Sequence, residues 1–301
     1  MSPFETFIQQ LINGLSIGMI YALIALGYTM VYGIIQLINF AHGEIFILGA
    51  FFALFVFSFL GSFVPLNNIV TIIIMFAAAM AGCGLLGVII ERVAYRPLRK
   101  APRLACLITA IGVSFILQNL MMIVWGPIDK SFPVFFKHVV FTVGALRITF
   151  MQGFIIITSL LLMISLHFFV RRTMLGKALR ATSEDMVAAR LMGINVDKVI
   201  SICFLIGSAL AGAGGVMYGM YYTTITFHDG YLVGIKAFTA AVIGGIGNVP
   251  GAMLGGVALG MLEGLAAGYI SSAWKNVFAF LILVLLLLCW PSGILRKFRN
   301  E

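Results

Sequence analysis

His42, Glu44, Lys236 and Glu263 sit in stretches of sequence that are otherwise apolar enough to lie at bilayer depth. An ionisable group there is costly unless it pairs, faces a wet cavity or moves a proton or ion, so each is a candidate functional residue. Asn39 shares the interruption around His42 and Glu44, and Asn248 shares the one that follows Lys236. These six residues are candidates for lining or gating a translocation pathway. Lys236 is expected to pair with Glu44 or with Glu263, which would hold the two interruptions together; the alternative is that each side chain snorkels to an interface. His167, near the end of an apolar run, reads as interfacial.

Enzyme chemistry finds little support. No HExxH zinc motif occurs, and His42-Gly43-Glu44 is too closely spaced to imitate one. A GxSxG nucleophile elbow is not expected. Gly176-Lys177 is superficially like a phosphate loop, but Ala178 stands where a Ser or Thr must hold magnesium, and Arg171 where the leading Gly should be. The chain is therefore not expected to bind ATP, a metal or another cofactor itself. Cys83, Cys106, Cys203 and Cys289 all fall in apolar segments and give neither a metal spacing nor a disulfide frame. They read as small core hydrophobes.

The elements that must position these residues are membrane helices. Of 301 residues, 62% are hydrophobic and 10% charged, against about 25% charged in soluble domains. Runs long enough to span a bilayer lie at roughly 7–35, 37–60, 67–90, 104–126, 149–170, 199–222 and 275–292. A Gly-broken region, 232–270, could hold two more passes. The fold class is thus an all-α polytopic membrane protein with about eight or nine transmembrane or re-entrant helices, in one domain over 1–301. The breaks at 36–44, polar, and 236–251, glycine-rich, should face the bundle interior, because irregular backbone at membrane depth survives only when buried in protein or lining a wet cavity. One early and one late break is the pattern of an inverted internal repeat. Gly256, Gly260, Gly264 and Gly268, with Gly251 and Gly255 alongside, form a ladder on one helix face. Gly14, Gly18 and Ala22 repeat that spacing in the first span. The ladder is either internal packing or a seat for a second membrane subunit.

The net charge of +9 is concentrated rather than spread. Five basic residues lie in Arg92–Arg103, six in Arg171–Lys198 and three in Arg296–Arg299. Basic short loops mark the cytoplasmic side, not a nucleic-acid surface. Counting passes puts all three on that side, with the C-terminus cytoplasmic and the N-terminus periplasmic. The first 91 residues hold no Lys or Arg, which agrees and leaves no charged start for a secretory signal. The loop 127–148 is then external, although Lys130, Lys137 and Arg147 make it mildly basic.

The stretch 171–198 carries its own helix signals. Thr182 and Ser183 are expected to cap a short helix, Glu184 and Asp185 to lie in its first turn, and Gly193 to end it. A charged, capped helix between two spans is a docking surface for a soluble partner.

Several stretches together carry a resemblance. Tyr21–Ala50 (YALIALGYTMVYGIIQLINFAHGEIFILGA), Ile90–Arg99 (IERVAYRPLR) and Leu107–Asn119 (LITAIGVSFILQN) form one set. Leu175–Ile200 and Lys236–Gly256 (KAFTAAVIGGIGNVPGAMLGG) form the other. Over essentially its whole length the chain resembles the LivH-type permease of bacterial branched-chain amino acid ABC importers. The resemblance implies an ABC importer permease fold in the inner membrane, surrounded by lipid. It implies a second permease of LivM type, two cytoplasmic ATPase subunits that bind the ATP, and a periplasmic binding protein delivering leucine, isoleucine or valine. Ala188, Ala189 and Gly193 keep an AAxxxG spacing, with Glu184 and Asp185 as its acidic lead, so Arg180 and these five residues would form the ATPase-coupling segment. The same architecture could import urea, amides or other amino acids. A secondary transporter working without ATPases would need mid-membrane coupling carboxylates and no docking helix, and an intramembrane enzyme would need a nucleophile or metal constellation.

Overall fold

The computed structural model describes residues 2–62, 67–99, 101–136 and 140–289. The tail 296–299, Lys100, Lys137 and the end of the last predicted span lie outside them. In chain order the elements are α1 (Pro3–Ile35), α2 (His42–Gly61), α3 (Asn68–Ile90), a π-helical turn (Glu91–Tyr95), α4 (Arg103–Trp125), β1 (Lys130–Ser131), β2 (Val140–Val143) and β3 (Leu146–Thr149). They continue as α5 (Phe150–Arg172), α6 (Met174–Glu184), α7 (Met186–Leu191), α8 (Val196–Tyr222), β4 (Thr224–Ile225), α9 (Asp229–Ile243), α10 (Val249–Tyr269) and α11 (Lys275–Cys289). Among the described residues eight helices are long and apolar enough to cross a membrane: α1, α2, α3 with its π-turn, α4, α5, α8, α10 and Ser272–Cys289. The 15-residue α9 is about 22 Å long, short of a bilayer core of about 30 Å.

Local chemistry sets the boundaries. The Ser2 hydroxyl accepts from the Glu5 amide while Glu5 accepts from Ser2, so α1 starts at Pro3 rather than residue 7. Thr149 and Gln152 make the same reciprocal cap on α5. Asn67 caps α3, and Asn195 caps α8. The spacing Gly-x-Ser-x-Gly does occur, at Gly14–Gly18. It lies inside α1, where the Ser16 hydroxyl donates back to the Ile12 carbonyl at 3.0 Å, so it is no nucleophile elbow.

The core is built on α1, which packs along α10, α8, α9 and α5. The α10 glycines account for the tightest seam. A β-carbon on Gly14 would sit 2.6 Å from the Gly260 carbonyl, one on Gly18 2.9 Å from that of Gly256, and one on Gly264 2.8 Å from Gly14 Cα. The rising order on α1 meets a falling order on α10, so the helices are antiparallel. Gly251 and Gly255 instead approach Gly244 and Ala240 of α9. The glycine ladder is therefore consumed by internal packing and is not a seat for a second subunit. Glycine at these sites lets backbones touch where lipid gives no hydrophobic drive toward association.

Each end of the bundle has its own character. At one end Gln9 bonds Arg147 of β3, Tyr269 reaches the Pro3 carbonyl, and two small antiparallel sheets, β1–β4 and β2–β3, close the surface. At the other end the two basic stretches 92–103 and 171–198 meet, joined by ion pairs from Arg96 and Arg99 to Asp197. The first two basic stretches thus lie at one end, as pass counting predicted; the third lies outside the described residues.

Candidate functional site

The first interruption differs in detail from the predicted span 37–60. Gln36 adopts a left-handed conformation (φ 54°) and ends α1. Leu37–Phe40 are then non-helical, and α2 starts only at His42. Asn39 and Ala41 are buried, so the break faces the bundle interior. Asn39 Oδ1 accepts from the Tyr95 hydroxyl at 2.8 Å, whereas its Nδ2 has no partner among the described residues. His42 packs edge-on against Tyr28, ring centroids 4.8 Å apart, and over Gly27, where any side chain would collide with the imidazole. Glu44 is 1% exposed; one oxygen accepts from Ser114 of α4 at 3.3 Å, and the other has no partner among the described residues.

The second interruption is a tight turn, 244–248, between α9 and α10, with Gly245 and Gly247 at positive φ. Its Asn248 side chain accepts from the Gly251 amide at 3.3 Å and so starts α10. Asn248 thus caps α10. Lys236 pairs with Glu263, not Glu44: its Nζ lies 2.8 Å from Glu263 Oε1. Tyr21 of α1 completes the cluster, its hydroxyl donating to Glu263 Oε2 at 3.0 Å and accepting from Lys236 at 3.4 Å. Lys236 and Glu263 are 4% and 3% exposed, so neither reaches an interface. The six predicted pathway residues thus fall into separate groups. One is a closed ion pair across α1, α9 and α10; one is His42 and Glu44 with open hydrogen-bonding capacity; Asn39 is anchored to the π-turn.

The docking segment is two helices, not one. Thr173 caps α6 through the Gly176 amide, so α6 already runs through Thr182 and Ser183, whose hydroxyls bond back to Ala178 and Arg180 carbonyls instead of capping. Glu184 is the last residue of α6. Asp185 is the cap of α7, Oδ1 accepting from the Val187 and Ala188 amides at 2.7 and 3.0 Å. Gly193, at φ 82°, closes α7 with paired bonds from Gly193 to Arg190 and from Ile194 to Ala189, the Schellman arrangement. Ala189 is buried within the chain, which removes it from any surface offered to a partner. What α7 offers instead is apolar: Val187, Leu191 and Met192 are 68%, 84% and 82% exposed, with Ala188 exposed on the flank. A cavity of about 90 Å³ lies between α6 and the bundle, lined among others by Gly33, Val170, Leu179, Arg180, Ser183 and Gly247. It sets Arg180 of α6 beside the second break.

Sequence reasoning missed Tyr21, Tyr28 and Tyr95, which look like ordinary apolar-run aromatics until their hydroxyls are placed. It also missed the ion network of Glu91, Arg96, Arg99 and Asp197. A carboxylate at position 91, ending a wholly apolar run, was the available signal.

Broken helices enclosing polar groups, inside a bundle of eight membrane-length helices, define the class as a polytopic membrane permease. Residues 10–287 match the family described as "Branched-chain amino acid transport system / permease component". The chain is 44% identical over 299 residues to the high-affinity branched-chain amino acid transport system permease protein LivH of Escherichia coli K12, covering 98% of this chain and 97% of that one. It is 45% identical over 302 residues to the corresponding protein BraD of Pseudomonas aeruginosa, covering 99% and 98%. A probable LivH of Methanocaldococcus jannaschii is 30% identical over 281 residues, covering 90% and 87%. No solved structure matches. The chain belongs to the family of branched-chain amino acid transport permease components, whose members here are transport subunits and not enzymes.

Proposed function

We propose that the chain is the LivH-type membrane subunit of an ABC importer carrying leucine, isoleucine and valine across the inner membrane. It works beside a second, LivM-type permease. Two cytoplasmic ATPase subunits bind and hydrolyse the ATP, and a periplasmic binding protein selects the cargo. The N-terminus and the small sheets face the periplasm, and α6–α7 face the cytoplasm. The observation that carries this reading is the apolar face of α7. Val187, Leu191 and Met192 project from a segment flanked by Arg172, Lys177, Arg180 and Lys198. Exposed large hydrophobics on a polar loop mark an interaction site, and the charges around them set orientation. ATP-driven closure of the ATPases would then push on α7, and the bundle would open alternately to either side.

The test is co-purification of the ATPase subunits with the chain in detergent. Val187→Asp and Leu191→Asp, both at exposed positions, should leave the chain folded and abolish association. Undiminished association of both variants would refute the assignment of this face.

A further inference from the structure

A continuous chain of polar contacts runs from α7 to the first break. Arg190 of α7 lies 3.9 Å from Asp197. Asp197, at the start of α8, accepts from Arg96 at 2.9 Å and from Arg99 at 2.5 Å. Arg99 also holds Glu91, which is fully buried, and Ser201 of α8 donates to the other Glu91 oxygen at 2.7 Å. Glu91 begins the π-turn, closed by the bond from the Arg96 amide to the Glu91 carbonyl at 2.7 Å. Tyr95 ends that turn and holds Asn39. Asn39 has no other side-chain partner among the described residues, and its carbonyl accepts from the His42 amide at 3.0 Å. The last link therefore sets the entry of α2, which carries His42 and Glu44.

These features are not those of a surface staple. The network centres on a carboxylate with no solvent access, whose charge is compensated by one arginine and one hydroxyl. It is built on a π-turn, a rare helix irregularity frequent at functional sites. It joins three parts, α7, α8 and the break, that no single helix connects. Packed polar groups of this kind have discrete arrangements rather than a continuum.

We propose that Asp197, Arg99, Glu91 and Tyr95 are the positioning residues that convert displacement of α7 into movement of the Gln36–Ala41 break. The proposal rests on the assignment of α7 as the ATPase-docking face. Movement of Arg190 and the start of α8 shifts Asp197. Asp197 draws Arg99, Arg99 turns the Glu91–Tyr95 elbow, and Tyr95 drags Asn39.

The experiment uses the full importer in liposomes, with leucine as cargo, and measures leucine taken up per ATP hydrolysed. Asp197→Asn and Tyr95→Phe each remove one link while keeping side-chain shape; Asn39→Ala cuts the Tyr95 link from its other side. Each variant should retain its ATPase subunits and hydrolyse ATP, while the transport-to-hydrolysis ratio falls at least about five-fold, the lower range of coupling between sites. A residue with a merely structural role would lower the yield of complex and leave that ratio unchanged. The double variant Asp197→Asn/Tyr95→Phe should be no worse than the poorer single variant, because both cut one serial path. An unchanged ratio in all three single variants, or losses that multiply in the double, would overturn the relay. Failure of the unsubstituted chain to retain ATPases would overturn the docking assignment and the relay with it; retained ATPases with an unchanged ratio would overturn the relay alone.

Discussion

Neutralising Lys236 should be among the most destabilising single changes available in this bundle. In Lys236→Met, Glu263 stays 3% exposed with the Tyr21 hydroxyl at 3.0 Å as its remaining partner. Stranding a buried charge in this way costs about 3–5 kcal/mol. Tyr21→Phe deletes the hydroxyl's interhelical hydrogen bonds to Glu263 and Lys236 and should cost about 0.6–1.7 kcal/mol for each. Removing both charges together, in Lys236→Met/Glu263→Leu, should bring stability back to within about 1 kcal/mol of the unsubstituted chain or above it, since apolar pairs often replace buried ion pairs without loss. The exchange Lys236→Glu/Glu263→Lys should restore most of the stability because the two buried charges still neutralise one another. The assay is denaturant unfolding of the purified chain in a mild detergent, read by intrinsic fluorescence. A double variant as unstable as the sum of the two singles would refute the idea that the two charges compensate one another. So would a Lys236→Met protein as stable as its parent.

Gly18→Val should lower stability by about 1–3 kcal/mol, because its side chain would enter the backbone of α10. Gly112→Ala, with open space around it, should be neutral or gain up to about 1 kcal/mol; thermal unfolding of the pair separates seam from surface. Asp185→Ala should fray α7 at a cost of about 0.5–2 kcal/mol and weaken ATPase retention on a column without loss of the folded bundle. Ala189→Asp, by contrast, places a charge at a buried site and should reduce the yield of folded protein as well as association, so expression and detergent gel filtration distinguish it from Leu191→Asp. Single cysteines at Asp129 and Glu184, in a chain otherwise free of cysteine, should be labelled by an impermeant maleimide from opposite faces of the membrane, Asp129 from the periplasmic side. Labelling of both from one side would reject the proposed orientation.

The spans were legible because about twenty consecutive apolar residues admit few other readings in a chain this poor in charge. The interior breaks were legible for the complementary reason: Gln36, Asn39 and the 244–251 glycines cannot belong to a lipid-facing helix. Partner choice was not. Shared membrane depth left Lys236 with two possible acidic partners, Glu44 and Glu263, and only the antiparallel packing of α9 on α10 selects Glu263. The ladder from Gly256 to Gly268 told that a helix would approach closely, but not that α1 of the same chain would fill the contact. In the docking segment, Thr182, Ser183 and Asp185 are all acceptable caps by type. The choice fell to Asp185 because Thr173 had already begun α6 upstream, leaving Thr182 and Ser183 inside it. Ala189 looked available from spacing alone, yet it packs inside the chain.

ATP-dependent uptake of labelled leucine into liposomes measures the central claim most directly. Vesicles containing this chain, its second permease and the binding protein should accumulate leucine only when the ATPase subunits and ATP are supplied, and Leu191→Asp should reduce that uptake to the level without ATP. Undiminished uptake in vesicles lacking ATPase subunits would contradict the account.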